Sequence, residues 1–185
     1  MESILKKEII TNKIICKTLG VLFFVILTAL GAFVRIPLPF TPVPVTLQTL
    51  FVLLSGAFLG SSLGFTSQIS YLFLGVLGFP VFTLAGSSLL YFLGPTGGYI
   101  LGFILASYMV GRLLKKPGNI TKTLMVFSFC SICILLCGSL WIKYLLGVSF
   151  AKALYLGFAP FIIGDLCKAC IAALIYSGLK GRVGA

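Results

Sequence analysis

The chain has 185 residues, 59% of them hydrophobic and 9% charged, with Lys and Arg outnumbering Asp and Glu by 14 to 3 and a mean hydropathy of +1.19. That much apolar surface excludes a soluble globular domain and indicates an integral membrane protein. A net charge of +11 would suggest nucleic acid in a soluble domain, but here the basic residues cluster at the ends of apolar runs, where they set orientation and meet anionic headgroups, so no nucleic-acid partner is expected.

A spanning helix needs roughly 20 apolar residues, so the length leaves room for about six short spans in one all-α membrane domain over residues 1–185, with no separate soluble domain. The first twenty residues carry Lys6, Lys7, Lys13 and Lys17 and lead into an apolar span over 18–34. A signal peptide has the same order, with Ala29-Leu30-Gly31-Ala32 as its small-residue region, but this run is long enough to span and further spans follow. Arg35 to Pro44 (RIPLPFTPVP) holds four prolines in ten residues, which forbids helix and leaves an extended or polyproline-like connection. Spans over 46–60 and 61–79 follow with almost no connector, so the turn near Gly60 to Gly64 must be tight.

Pro80 to Gly98 is uncharged and broken twice by glycine-rich stretches, which predicts a lid or re-entrant loop. A span over 99–114 ends in Arg112, Lys115, Lys116 and the stop Pro117-Gly118. The next, over 123–146, carries the single Trp141 near one end, at headgroup level. A loop through Lys152 leads to the last span, 158–179, followed by Lys180 and Arg182. With these six spans, ten basic residues (Lys6, Lys7, Lys13, Lys17, Arg112, Lys115, Lys116, Lys122, Lys180, Arg182) fall on one side and three (Arg35, Lys143, Lys152) on the other. The positive-inside rule then places both termini in the cytoplasm. Asn119-Ile-Thr121, a glycosylation sequon, falls on the cytoplasmic side and is read as chance. The proline loop, the lid, Gly97-Gly98-Tyr99 and the Asp165 end of the last helix all come to the outer face.

Asp165 is the only acidic side chain after Glu8, and it lies in an apolar stretch. A carboxylate at membrane depth costs ~2.5–3.5 kcal/mol even on insertion-based scales, so its placement calls for a reason. Lys168, three residues on, is about 60° away around a helix and shares its face. The two form either a structural ion pair that tethers the helix or the flanks of one small ligand, with Asp165 accepting and Lys168 donating. Gly94-Pro-Thr-Gly-Gly-Tyr99 lacks the Gly-Lys-Ser/Thr ending of a phosphate-cradling loop. It reads either as a plain helix-start turn or as a bend whose Gly97-Gly98 backbone approaches a ligand.

Gln68, Ser67 and Ser70 lie deep enough for interhelical hydrogen bonds, while Gln48 is nearer the outer face. Thr28 and Ala32, Gly60 and Gly64, Gly98 and Gly102, and Ala169 and Ala173 are small residues four apart, suited to close helix contact or to docking of another membrane protein. Cys130-x-x-Cys133 and Cys167-x-x-Cys170 have the spacing of half zinc sites. They sit in apolar helical patterns in a chain without histidine, so they read as small hydrophobes and no metal is expected. With neither histidine nor paired carboxylates, catalysis has no foundation.

Taken together, Phe40-Thr-Pro-Val-Pro-Val-Thr-Leu-Gln-Thr49, Leu74-Gly-Val-Leu-Gly-Phe-Pro-Val-Phe82, Leu93-Gly-Pro-Thr-Gly-Gly-Tyr99 and Ala159-Pro-Phe-Ile-Ile-Gly-Asp-Leu-Cys-Lys168 resemble the BioY family, the biotin-binding membrane subunits of energy-coupling factor (ECF) transporters. The likeness covers nearly the whole chain in order and spacing. It implies a six-helix substrate-capture (S) component of a bacterial cytoplasmic membrane. Biotin would be the transported ligand, no cofactor would be needed, and the site would lie near the outer surface. Asp165 and Lys168 would engage biotin's polar groups, with Val43, Pro44, Gln48, Gly97, Gly98 and Tyr99 shaping the pocket. Energy would come from two separate ATPases and a transmembrane coupling subunit docked near Ala29 and Ala32. Leu84 to Leu89 departs from the more glycine-rich lid, with its polar or basic residue, of many members, which leaves Lys168 or a serine to hold a carboxylate. The alternatives are the same fold with another vitamin, or a membrane scaffold whose ion pair is structural.

Overall fold

The computed structural model describes the backbone at residues 2–83, 86–114 and 119–183, and the side chains at residues 12–83, 86–114 and 119–179. Among the described residues there are seven helices: α1 (Glu2–Phe33), α2 (Gln48–Val76), α3 (Leu89–Phe92), α4 (Gly97–Leu113), α5 (Ile120–Leu146), α6 (Phe150–Gly157) and α7 (Ile162–Val183). Four stretches are long and apolar enough to cross a membrane, within α1 (12–33), α2, α5 and α7 (162–179), and α4 is apolar but shorter at 17 residues.

α2 is two arms rather than one rod. Gly60 adopts φ 80° and ψ 178°, a conformation that L side chains rarely reach, and it breaks the helix. Beyond it the chain folds back: Gln48 bonds Tyr71, Ser55 bonds Gln68, and Gly64 lies against the Gly56 backbone. The tight turn expected at Gly60 is therefore present. α4 packs into the hairpin. Cβ atoms at Gly56 and Gly111 would overlap the backbone of Ser107 and of Gly60-Ser61, so these glycines set how closely the helices approach. α2 also contacts α1 and α7, while α5 bridges α4, α6 and α7.

Most of the small-residue pairs point inward. Thr28, Ala32, Ala169 and Ala173 are buried, and Gly102 lies against Ile134. Gln68 donates to Thr28, Ser55 and Ser67, the interhelical role expected of it, whereas Ser67 donates within its own arm to the Gly64 carbonyl.

Several expectations need correction. The chain is not wholly α-helical: Arg35–Ile36 (β1) and Val45–Thr46 (β2) form an antiparallel ladder across the proline loop. The four prolines lie in the connection between the strands, where their missing N–H groups cost no ladder bond. The loop expected through Lys152 is the helix α6, entered through the left-handed Gly147 and capped by Ser149, whose Oγ accepts from Lys152 N at 3.3 Å. The last helix starts at Ile162 rather than 158, after the turns around Pro160. α1 begins well before residue 18, because hydropathy marks only the apolar part of a longer helix. The stop at Lys115 to Gly118 and residues Leu84 and Ala85 of the lid lie outside the described residues, as do the side chains of Lys6, Lys7, Lys180 and Arg182.

Candidate binding site

The N-terminal ends of α2, α4 and α7, the proline loop, the lid and the later part of α5 surround one pocket enclosing about 510 Å³ of space not filled by atoms, part of it open to solvent.

The ion pair forms its polar end. Asp165 lies in the first turn of α7, where the positive end of the helix dipole favours an anion. It is 3% exposed and Lys168 is 7% exposed, and Lys168 Nζ is paired with Asp165 Oδ1. Thr49 Oγ1 donates to the same oxygen at 3.1 Å, and Lys168 Nζ also donates to the Thr46 carbonyl at 2.8 Å. Asp165 Oδ2 is buried with no hydrogen-bond partner among the described residues. An orphaned carboxylate oxygen on a pocket wall is costly unless a donor arrives, so this end is prepared for a ligand carrying N–H or O–H.

A second polar strand runs along the α2 hairpin. Thr46 Oγ1 donates to Gln48 Oε1 at 3.2 Å, Gln48 Nε2 donates to the Tyr71 hydroxyl at 2.6 Å, and that hydroxyl donates to the Val81 carbonyl at 3.2 Å. β2, both arms of α2 and the lid are thereby tied together. The rest of the wall is aromatic and aliphatic. Phe82 is buried edge-on to Tyr71 and stacked on Tyr91, and it fills a notch that a Cβ at Gly75 would close. Phe161 lies 6.1 Å from Tyr99 between ring centres, while Ile100, Phe103 and Leu135 floor the cavity.

Of the residues expected at the site, Val43, Pro44, Gln48, Tyr99, Asp165 and Lys168 line this pocket. Gly97 and Gly98 do not. A Cβ at Gly97 would strike the Phe92 carbonyl, and one at Gly98 the Trp141 side chain, so their role is to seat α4 against α3 and α5. Trp141 joins this contact and donates from Nε1 to the Gly94 carbonyl at 2.9 Å. Tyr99 is held by its hydroxyl, which donates to the Gly157 carbonyl at 2.6 Å, and by its ring, packed against Gly138. Ala32 is 0% exposed and presents no surface for docking, because its side of α1 faces the bundle; Ala29 is half-buried. Thr49, Tyr71, Phe82, Thr83, Tyr91, Thr96 and Phe161 were missed. Thr49, next to Gln48, carries a sequence signal, but Tyr71 and Phe82 reach the site only through the fold-back at Gly60.

Comparison with known proteins agrees with this architecture. The model of the BioY family matches residues 6–185. A probable biotin transporter BioY of Pyrococcus horikoshii is 40% identical over 162 residues, covering 88% of this chain and 94% of that protein. The biotin transporter BioY of Thermotoga maritima is 38% identical over 165 residues, covering 85% of this chain and 91% of its own length. The crystal structure of the S-component for biotin from an ECF-type ABC transporter superposes with a TM-score of 0.86 at 27% identity, covering 92% of this chain and 93% of that one.

Proposed function

The chain belongs to the BioY family, and from that premise we propose that it captures biotin and serves as the biotin-specific S component of an ECF-type transporter. The observation that carries the reading is the unpartnered Oδ2 of Asp165 beside the Lys168 ammonium on a pocket otherwise walled by aromatic and aliphatic groups. Biotin's ureido ring offers N–H donors and a carbonyl acceptor within a few atoms of each other. Asp165 Oδ2 accepts from the first and Lys168 donates to the second, while a carboxylate at this end would be repelled by Asp165. The bicyclic ring and aliphatic chain then lie among Tyr71, Phe82, Tyr91, Tyr99 and Phe161.

The six membrane segments are α1, the two arms of α2, α4, α5 and α7. With both termini in the cytoplasm, the pocket opens on the outside of the cytoplasmic membrane. Ten basic residues against three support that orientation. A separate coupling subunit and two ATPases supply the energy, docked on the exposed face of α1 (Leu22, Phe23, Ile26, Leu30) rather than through Ala32. Cells that lack other biotin uptake, expressing this chain with and without an energy-coupling module, test the reading. Labelled biotin accumulates with the module, and uptake that ignores biotin competition but yields to riboflavin or thiamine overturns the assignment.

A further inference from the structure

The corner where α5 meets α6 carries features that ligand capture does not use. α6 buries Ala153 and Gly157 against the bundle, its opposite side leaves Lys152 and Tyr155 exposed, and Phe150 at its start is exposed as well. Just before it, the last turns of α5 expose Lys143 and Tyr144, the latter at 87%. A surface groove on the last turns of α5 and the turn that follows is lined by Leu140, Lys143, Tyr144, Gly147 and Val148. Leu140 and Lys143 are three apart on a helix and share a face, so an apolar strip 53% exposed at Leu140 leads directly to a cation at its rim.

Among the described residues no acidic group pairs with Lys143 or Lys152. The chain holds only Glu2, Glu8 and Asp165 as acids. Asp165 is committed to Lys168 in the pocket. Lys143 rests over the Phe150 ring at 5.8 Å, which holds the ammonium in place without neutralising it. α5 has 27 residues and is longer than the ~30 Å hydrocarbon core, so its last turn reaches headgroup level. Basic residues interleaved with exposed tyrosines at that level form an interfacial anchor.

We propose that this corner is a binding site for an anionic phospholipid of the outer leaflet, its phosphate held by Lys143 and Lys152 and its acyl chain laid along Leu140. The corner is wired to the ligand pocket: the Leu156 carbonyl accepts from Thr41 Oγ1 at 2.8 Å beside the Val43 loop, and the Gly157 carbonyl accepts from the Tyr99 hydroxyl. A lipid seated here therefore bears on two walls of the pocket.

Native mass spectrometry of the full chain released from nanodiscs of equal phosphatidylcholine and phosphatidylglycerol tests this independently of biotin. The wild-type protein retains phosphatidylglycerol in preference. Lys143→Gln and Lys152→Gln each lower that preference roughly fivefold, the attraction of one lysine at a charged surface, and Lys122→Gln at the opposite end lowers it less. Equal retention in all variants, or an equal loss in Lys122→Gln, overturns the proposal.

Discussion

Asp165→Asn separates a ligand-binding role for the ion pair from a tethering one. Asp165 Oδ1 accepts from Lys168 and from Thr49, and Oδ2 is buried without a hydrogen-bond partner among the described residues. An amide keeps the shape but gives up one acceptor. With its NH2 group in the place of Oδ2 it sets a donor against the ureido N–H, and turned over it sets a donor against the Lys168 ammonium. Loss of one hydrogen bond to a charged group is worth ~1.5–3 kcal/mol, which at ~1.4 kcal/mol per decade weakens biotin binding about ten- to hundredfold. The single variant also strands a buried ammonium, and breaking such a pair costs about 3–5 kcal/mol of stability. The double variant Asp165→Asn/Lys168→Gln removes that penalty, since replacing both members of a buried pair is often neutral. Equilibrium binding of radiolabelled biotin in nanodiscs, run beside thermal melts, reads both effects. The double variant should melt near the wild-type temperature and bind biotin at least tenfold more weakly. Affinity within twofold of wild type in that protein refutes the reasoning and leaves the pair as a tether between α7 and the Thr46 to Thr49 segment.

Other substitutions test how the pocket is built. Tyr71→Phe removes the link between Gln48 and the Val81 carbonyl and leaves the buried Gln48 NH2 group without its acceptor; it should cost ~1–3 kcal/mol in stability and weaken biotin binding, measured by melting and titration. Gly111→Ala would push a methyl into the backbone of Gly60-Ser61, so melting should show ~1–3 kcal/mol of destabilisation. Gly178→Ala meets open space on α7 and should be neutral or stabilising by ~0.5–1 kcal/mol. Gly138→Ala intrudes on the Tyr99 ring, so biotin affinity should fall along with the melting temperature.

What the sequence disclosed, and what it hid, follows from the range of the forces involved. Asp165 and Lys168 were legible because an acid in an apolar run is expensive and their spacing puts them on one helix face. The reversal at Gly60 was legible because two apolar runs met with no connector between them. Tyr71 was not. It stands eleven residues beyond Gly60 and Gln48 twelve before it, so their hydrogen bond exists only once the hairpin has closed. Gly97 and Gly98 looked like ligand-facing glycines because conformational freedom and close packing share one residue type, and only the position of Trp141 decides between them. Ala32 carried the small-residue spacing of a docking face, but spacing does not say which neighbour is met, and the bundle itself meets it. α6 escaped notice because eight residues with Lys152 in the middle give too short a pattern, and its stability comes from the Ser149 cap and from burial of Ala153 and Gly157.

The most direct test is the structure of this chain with biotin bound. A ureido nitrogen should lie about 2.7–3.2 Å from Asp165 Oδ2, with Lys168 Nζ near the ureido oxygen and the ring system among Tyr71, Phe82, Tyr99 and Phe161. Biotin lodged elsewhere, or Oδ2 still without a donor in the occupied pocket, contradicts the account.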